Sequence, residues 1–239
     1  MRKFEPSDFN HMLSIVGTPI GNLGDLSPRA ADAIVSAAVI LTEDTRSFQT
    51  ILRHAQTLAH SPLAESQKII SYYKEVEYEK LSSVMEYLES DVNVVLVSEA
   101  GMPAISDPGL LLVKTCHTRG IKVTIIPGPS AVDAAVALAG MPHKQYMFLG
   151  FLPKKENDMQ RMIERCHTVS ELFKGDTVFV AFESPLRCQD TVTAMYSWYP
   201  SLQITVCREM TKLYEEVIHQ PPPTMTYQGE IVLLFSFTA

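Results

Sequence analysis

Glu43-Asp44-Thr45-Arg46 puts two carboxylates and a guanidinium within four residues, directly after the apolar run Val39-Ile40-Leu41. Such a set can take a proton or orient an anionic group. It also fits an acid pair at a helix N-terminus with the arginine in solvent. Asp107, in Ser106-Asp107-Pro108, carries the same two readings, chemistry or helix cap. Glu183 follows an apolar strand, where an unpaired carboxylate would be costly, and Arg208 or Lys212 is the expected partner. The seven histidines show no metal-ligand spacing, and the four cysteines, Cys116, Cys166, Cys188 and Cys207, form no CxxC pair. No metal site and no disulfide framework is expected.

These residues sit in turns, and the turns follow strands. Met12 to Val16 leads into the glycine turn Gly17 to Asp25, where Pro19 stands in place of the second glycine of GxGxxG and no Walker Lys-Ser/Thr follows. Val39 to Leu41 leads into 42–46, Val92 to Val97 into Ser98–Gly109, and Lys122 to Ile126 into Pro127–Ala131. Helical patterns intervene: Arg29–Ala38 with Ser27 as cap and Pro28 at its first position, Ser47–Ala55, Glu77–Leu88 and Leu110–His117. Strands alternating with helices and no hairpin turns predict a mainly parallel sheet, whose carboxyl ends lie along one edge. The four turns therefore converge, and the 98–109 turn, with its glycines, prolines and acids, forms one wall of a small-molecule site.

Pro127-Gly128-Pro129 breaks the rhythm and separates two α/β domains, 12–126 and 127–239. The second is read as helix Ala131–Ala139, helix Lys155–Phe173, strand Thr177–Phe182, helix Cys188–Tyr196, and strands Gln203–Cys207 and Glu230–Phe237, a mixed sheet. The turns Glu183–Arg187 and Arg208–Lys212 would face the first domain across a cleft. No apolar run approaches the roughly 20 residues of a membrane span. Met1 to His11 is polar, without a signal-peptide core, so the expected location is the cytoplasm. The net charge of −7 excludes a chain whose whole surface grips nucleic acid and confines any RNA contact to a local patch or a second subunit.

Seven motifs occur in order: Gly-Thr-Pro-Ile-Gly-Asn-Leu-Gly-Asp at 17–25, Thr-Glu-Asp-Thr-Arg at 42–46, Gly-Met-Pro-Ala-Ile-Ser-Asp-Pro-Gly at 101–109, Pro-Gly-Pro-Ser-Ala at 127–131, Phe-Leu-Gly-Phe-Leu-Pro at 148–153, Phe-Glu-Ser-Pro at 182–185 and Arg-Glu-Met-Thr-Lys at 208–212. Together they resemble the tetrapyrrole-methylase superfamily of S-adenosylmethionine (SAM)-dependent methyltransferases. Within it they are most similar to the branch that 2′-O-methylates a cytidine ribose of small-subunit (16S) rRNA. The resemblance implies a homodimer with SAM in the interdomain cleft and small-subunit rRNA, or the assembled small ribosomal subunit, as partner. By position it places Pro19, Gly101, Met102 and Ile105 beside the cofactor, Ser130 and Ala131 opposite, and Phe182 and Met210 on its adenine side. A ribose hydroxyl needs a base, for which Glu43, Asp44, Asp107 and Lys212 are candidates, the lysine if its pKa is lowered. Asn22 and Arg46 would orient the sugar or a phosphate.

The chain departs from the family pattern in four places. Ser71-Tyr72-Tyr73-Lys74-Glu75 stands where Ser-Tyr-His-Glu-His is usual, and Leu186 where histidine is usual. Glu99 and Met102 replace residues of Ser-Asp-Ala-Gly-Thr-Pro, and the sequence stops at Ala239 where many members continue into a helical extension. The rival readings are a superfamily enzyme with another RNA or a small-molecule acceptor, and a SAM-binding protein without turnover.

Overall fold

The structure, a computed structural model, describes residues 12–90 and 92–237. The polar stretch 1–11 read above, and the last two residues, lie outside them. The chain divides into two compact units between Ser130 and Ala131.

In the first unit β1 (Met12–Val16), β2 (Val39–Thr42), β3 (Lys68–Ser71), β4 (Val94–Val97) and β5 (Lys122–Ile126) form a sheet in the order β3-β2-β4-β1-β5, with every pairing parallel. α1 (Pro28–Ser36), α2 (Phe48–Leu58), α3 (Glu77–Glu89) and α4 (Leu110–Thr118) connect them. β2 and β4 are buried at every position, which is why both read as unbroken apolar runs rather than alternating ones. Alternate side chains go to opposite layers. Ile40 and Val95 pack with Ala31, Ile34, Phe48 and Leu52 of α1 and α2. Val39, Leu41, Val94 and Leu96 pack with Val84, Met85, Leu112 and Cys116 of α3 and α4. α1 starts as its sequence demands: Ser27 Oγ accepts from Ala30 N at 3.1 Å, with Pro28 at the first helical position.

The second unit carries β6 (Gln145–Phe151), β7 (Thr177–Glu183), β8 (Gln203–Arg208), β9 (Glu216–His219) and β10 (Ile231–Ser236), in the order β6-β7-β10-β8-β9. β6 and β7 are parallel and the other pairings antiparallel, so this sheet is mixed. α6 (Glu156–Leu172) and α7 (Pro185–Trp198) cover one face through Ile163, Cys166, Cys188, Val192 and Met195, packed on Phe179, Ala181, Val206, Leu233 and Phe235. α5 (Ala131–Ala139) packs against β8 and β10. Three elements differ from the sequence reading: β6, a strand where only the motif at 148–153 is singled out, and two more. α7 begins at Pro185, three residues before Cys188, because proline's fixed φ suits the first helical position. β9 is an unforeseen edge strand: four half-exposed residues are too short to show alternation, and pairing with β8 defines it.

Segment 127–130 stays with the first unit because its backbone touches the turn after β1. Gly17 N donates to Ile126 O at 3.0 Å. A Cβ on Gly17 would lie 2.5 Å from Gly128 N, and one on Gly128 would lie 2.7 Å from Gly17 C. Gly128→Ala is therefore expected to lower the unfolding free energy by about 2 kcal/mol or more, the cost of overpacking against a backbone that cannot yield. Urea denaturation measures it, and a loss near zero would show that the two turns are not in contact.

Candidate functional site

All five strands of the first sheet run parallel, so the turns after β1, β2, β4 and β5 leave from one edge. They are stitched together there. Thr18 and Gly101 exchange backbone hydrogen bonds of 2.9 and 3.2 Å, and Thr18 Oγ1 and Ser98 Oγ both donate to Gly101 O. Gly128 N approaches Met102 Sδ at 3.4 Å, and Ser47 Oγ donates to Glu99 Oε1 at 2.9 Å. The chain leaves β2 toward β3 and leaves β4 in the opposite direction, toward β5. The crevice between the carboxyl ends of β2 and β4 is thus the topological switch point, where open α/β sheets bind ligands.

That crevice is acidic. Glu43 follows β2, and Glu99 and Asp107 follow β4. Burial pushes the Glu43 carboxyl up to about 7, and the charges of Asp107, Glu99 and Glu75 add to the effect. Burial likewise raises Asp107 to about 6, with Glu99 adding and the polar Ser98 hydroxyl opposing. Among the described residues no group of three histidine, cysteine or acidic side chains is placed to hold a metal ion. A carboxylate titrating near neutrality suits proton abstraction.

The other residues singled out from the sequence fall into different roles. Asp44 Oδ1 accepts from Arg46 N at 2.7 Å, a local turn that opens into α2, and the Arg46 side chain is exposed. Asn22 Oδ1 accepts from Gly24 N at 3.0 Å and caps a short 3-10 turn. Asp107 is not the cap of α4. Glu77 Oε1, at the start of α3, accepts from Gly109 N at 3.1 Å and Leu111 N at 3.2 Å. No local signal marks a cap brought from 32 residues away. Gly109 itself has φ +124°, and a Cβ there would meet Leu96 Cδ2 at 2.5 Å.

Glu183 is 3% exposed, and its partner is Arg187, not Arg208 or Lys212. Arg187 Nη2 and Nε donate to Glu183 Oε1 at 2.5 and 3.0 Å, and Thr191 Oγ1 donates to Oε2 at 2.8 Å. The i,i+4 spacing across the start of α7 was the available signal. Arg187 also donates to the carbonyls of Leu152 and Pro153, tying the end of β6 to α7. Arg208 pairs with Glu216 at 2.6 Å. Lys212 lies 3.0 Å from both Glu209 and Glu230. Burial pulls its pKa down, but the hydrogen bonds to Glu209 and Glu230 outweigh this and raise it. A lysine base needs the opposite shift, so Lys212 is a bracing cation.

Of the cofactor set, Pro19 and Gly101 are buried at the first unit's edge, Met102 is half-buried and Ile105 is exposed. Gly101 has φ +83°, and a Cβ there would press on Ile20 Cγ2 at 3.3 Å. Ser130 ends the first unit. Ala131 opens α5, Phe182 is half-buried in β7 with edge contacts to Phe148 and Phe151, and Met210 is buried just after β8. These last three belong to the second unit.

The family model for tetrapyrrole (corrin/porphyrin) methylases matches residues 12–224. The chain belongs to the tetrapyrrole methylase family. It is a methyltransferase, with SAM as methyl donor. It is 35% identical to a Hydrogenobaculum protein named ribosomal RNA small subunit methyltransferase I, over 94% of this chain and 95% of the relative. It is 37% identical to the Thermotoga maritima protein of that name, over 85% of each. Among solved structures it resembles the methyltransferase CobJ (TM-score 0.65, 18% identity, 95% of this chain and 99% of that one) and a diphthine synthase (TM-score 0.67, 12% identity, 95% and 89%). At those identities the likeness establishes the tetrapyrrole methylase fold.

The raised Glu43 pKa makes a stability prediction. The folded chain holds this proton more tightly than the unfolded chain, where the carboxyl titrates near 4.5. Stability from this group is therefore full below about pH 4.5 and is lost as pH rises through about 7. Glu43→Gln should raise the urea midpoint over wild type at pH 8 and leave it unchanged at pH 4. The same shift at both values would disprove a perturbed carboxyl at this position.

Proposed function

We propose that the chain methylates the ribose 2′-hydroxyl of a cytidine in small-subunit rRNA, with Glu43 as the base. One observation carries the assignment of the base. The Glu43 carboxylate is half-buried at the switch point, faces Asp107 and Glu99, and has no hydrogen bond or ion pair to its side chain among the described residues. The names of the relatives support the acceptor.

The first unit suits a cofactor. The turns after β1 and β5 meet backbone to backbone at Gly17 and Gly128, which fixes the edge on which the cofactor would sit. Pro19, Gly101, Met102 and Ile105 would hold the cofactor there, with Ser130 at the end of the same unit. SAM, when bound, supplies a methyl carbon on a positively charged sulfur, open to in-line attack by an oxygen. Glu43 takes the proton from the ribose hydroxyl as that oxygen attacks. Burial, with Asp107 and Glu99 adding to it, keeps Glu43 proton-avid. Arg46, exposed beside them, pairs with an RNA phosphate.

Two further parts belong to this reading. The acceptor is the assembled small subunit, and the reaction takes place in the cytoplasm. No helix among the described residues is long and apolar enough to cross a membrane. The chain acts as a homodimer. Ile125 on edge strand β5, and Tyr146 and Phe151 on edge strand β6, are apolar and exposed. A monomer mass by light scattering would remove that element.

The test uses labelled SAM with small ribosomal subunits from a strain lacking the modification. Label on the ribose of a single cytidine is expected. Bound SAM with no label in the rRNA would transfer the chain to another acceptor.

A further inference from the structure

Arg-Glu-Met-Thr-Lys at 208–212 does not supply the base, yet the structure invests heavily in holding it. Glu209 and Thr211 adopt left-handed backbone, φ +50° and +67°, a conformation costly for residues with side chains. Glu209 Oε1 accepts from Lys212 Nζ at 3.0 Å and from Glu230 N at 2.8 Å. The backbone N–H of Glu230, and then Lys212, hold the Glu209 carboxyl below its usual range, so it stays ionised. Gly229, at φ +82°, passes so close that a Cβ would lie 2.4 Å from Glu209 Cδ. Met210 is buried beneath. This bracing fixes a loop whose tip is apolar and unpartnered: Leu213 is 88% exposed and Tyr214 67%.

Behind the tip lies a cavity of about 270 Å³ lined by Arg208, Glu209, Tyr214, Gln228 and Gly229. It exceeds the size of one nucleobase, and its chemistry is mixed. Arg208 donates Nε to Glu216 and Nη1 to Gln228 O, which leaves Nη2 as a donor. The Gln228 amide offers a donor and an acceptor, and Glu209 Oε2 is an acceptor; no partner is seen for either among the described residues. A phosphate would meet the Glu209 charge. A base edge with an amino group beside ring acceptors finds here a carboxylate, an amide and a guanidinium, the acceptors and donors it needs. The Tyr214 ring supplies the stacking face that unpaired bases seek.

We propose that this cavity receives one unpaired nucleobase of the RNA acceptor, stacked on Tyr214 and read along its edge by Glu209, Gln228 and Arg208. The assignment rests on the rRNA reading above and adds a substrate-holding site in the second unit. It accounts for RNA recognition by an acidic chain, since stacking and edge hydrogen bonds need no basic surface. Amino-bearing bases are preferred over uracil at this position.

The experiment compares wild type, Tyr214→Ala and Tyr214→Phe, with unmodified small ribosomal subunits as acceptor and SAM binding followed by calorimetry. Tyr214→Ala should raise KM for the subunits about tenfold, the loss of one stacked base, at unchanged kcat. Tyr214→Phe keeps the ring and should match wild type, and SAM affinity should be the same in all three. An unchanged KM in Tyr214→Ala, or a parallel loss of SAM affinity, overturns the nucleobase assignment and leaves the rRNA reading standing. Absence of methyl transfer to these subunits by wild type itself overturns both.

Discussion

The backbones of Gly17 and Gly128 touch where neither can carry a side chain, and the strand-end edge of the first unit is built on that contact. It locks the turn after β1 to the turn after β5. The Thr18–Gly101 bridge then locks the first of these to the long turn after β4. With three turns fixed, the 98–109 segment can hold conformations that an isolated loop would shed: positive φ at Gly101, Ala104, Ser106 and Gly109. Ala104 and Ser106 cost about 1 kcal/mol or more each in that region. Glu77, reaching across from α3 to cap α4, closes the far end of the same segment. The strain is held by the surrounding parallel sheet.

Rigidity at this edge has an electrostatic consequence. Glu99 and Asp107 sit on the pinned turn after β4, and Ser47, a few residues past Glu43, ties Glu99 to the start of α2. Crowded carboxylates with partial burial must share fewer charges than groups, so the proton affinity of Glu43 and Asp107 rises. The contrast with Glu183 is instructive. That carboxylate is more deeply buried, yet Arg187, Thr191 and Ser184 N saturate it, and its role is to join β7, α7 and the end of β6. Burial with partners makes a structural acid, and burial beside like charges raises proton affinity.

Much of this was legible in the sequence because it is periodic or local. The apolar runs at Val39 and Val94 gave a parallel sheet, Ser27-Pro28 gave the start of α1, and the polar turns were placed at strand ends that do share one edge. The motif order led to the tetrapyrrole methylase family. What was not legible depends on distance or on competition between partners. Glu77 caps a helix 32 residues away, and β9 exists only because β8 is beside it. Lys212 read as a base since a buried lysine can lose its proton, but two carboxylates at 3.0 Å hold it charged. Asn22 and Asp44 each accept a backbone N–H of their own turn, the ordinary use of short polar side chains, and strand-end position alone does not announce it.

If the acceptor hydroxyl gives its proton to Glu43 at the β2–β4 crevice, the pH dependence of kcat for methyl transfer to small ribosomal subunits must show it. The rate should climb tenfold per pH unit below about 7 and level above it, the titration of Glu43. In Glu43→Gln that limb should vanish, with the plateau rate about a hundredfold lower and SAM still bound. A wild-type rate flat from pH 5.5 to 9, or a Glu43→Gln variant retaining the same limb, would contradict it.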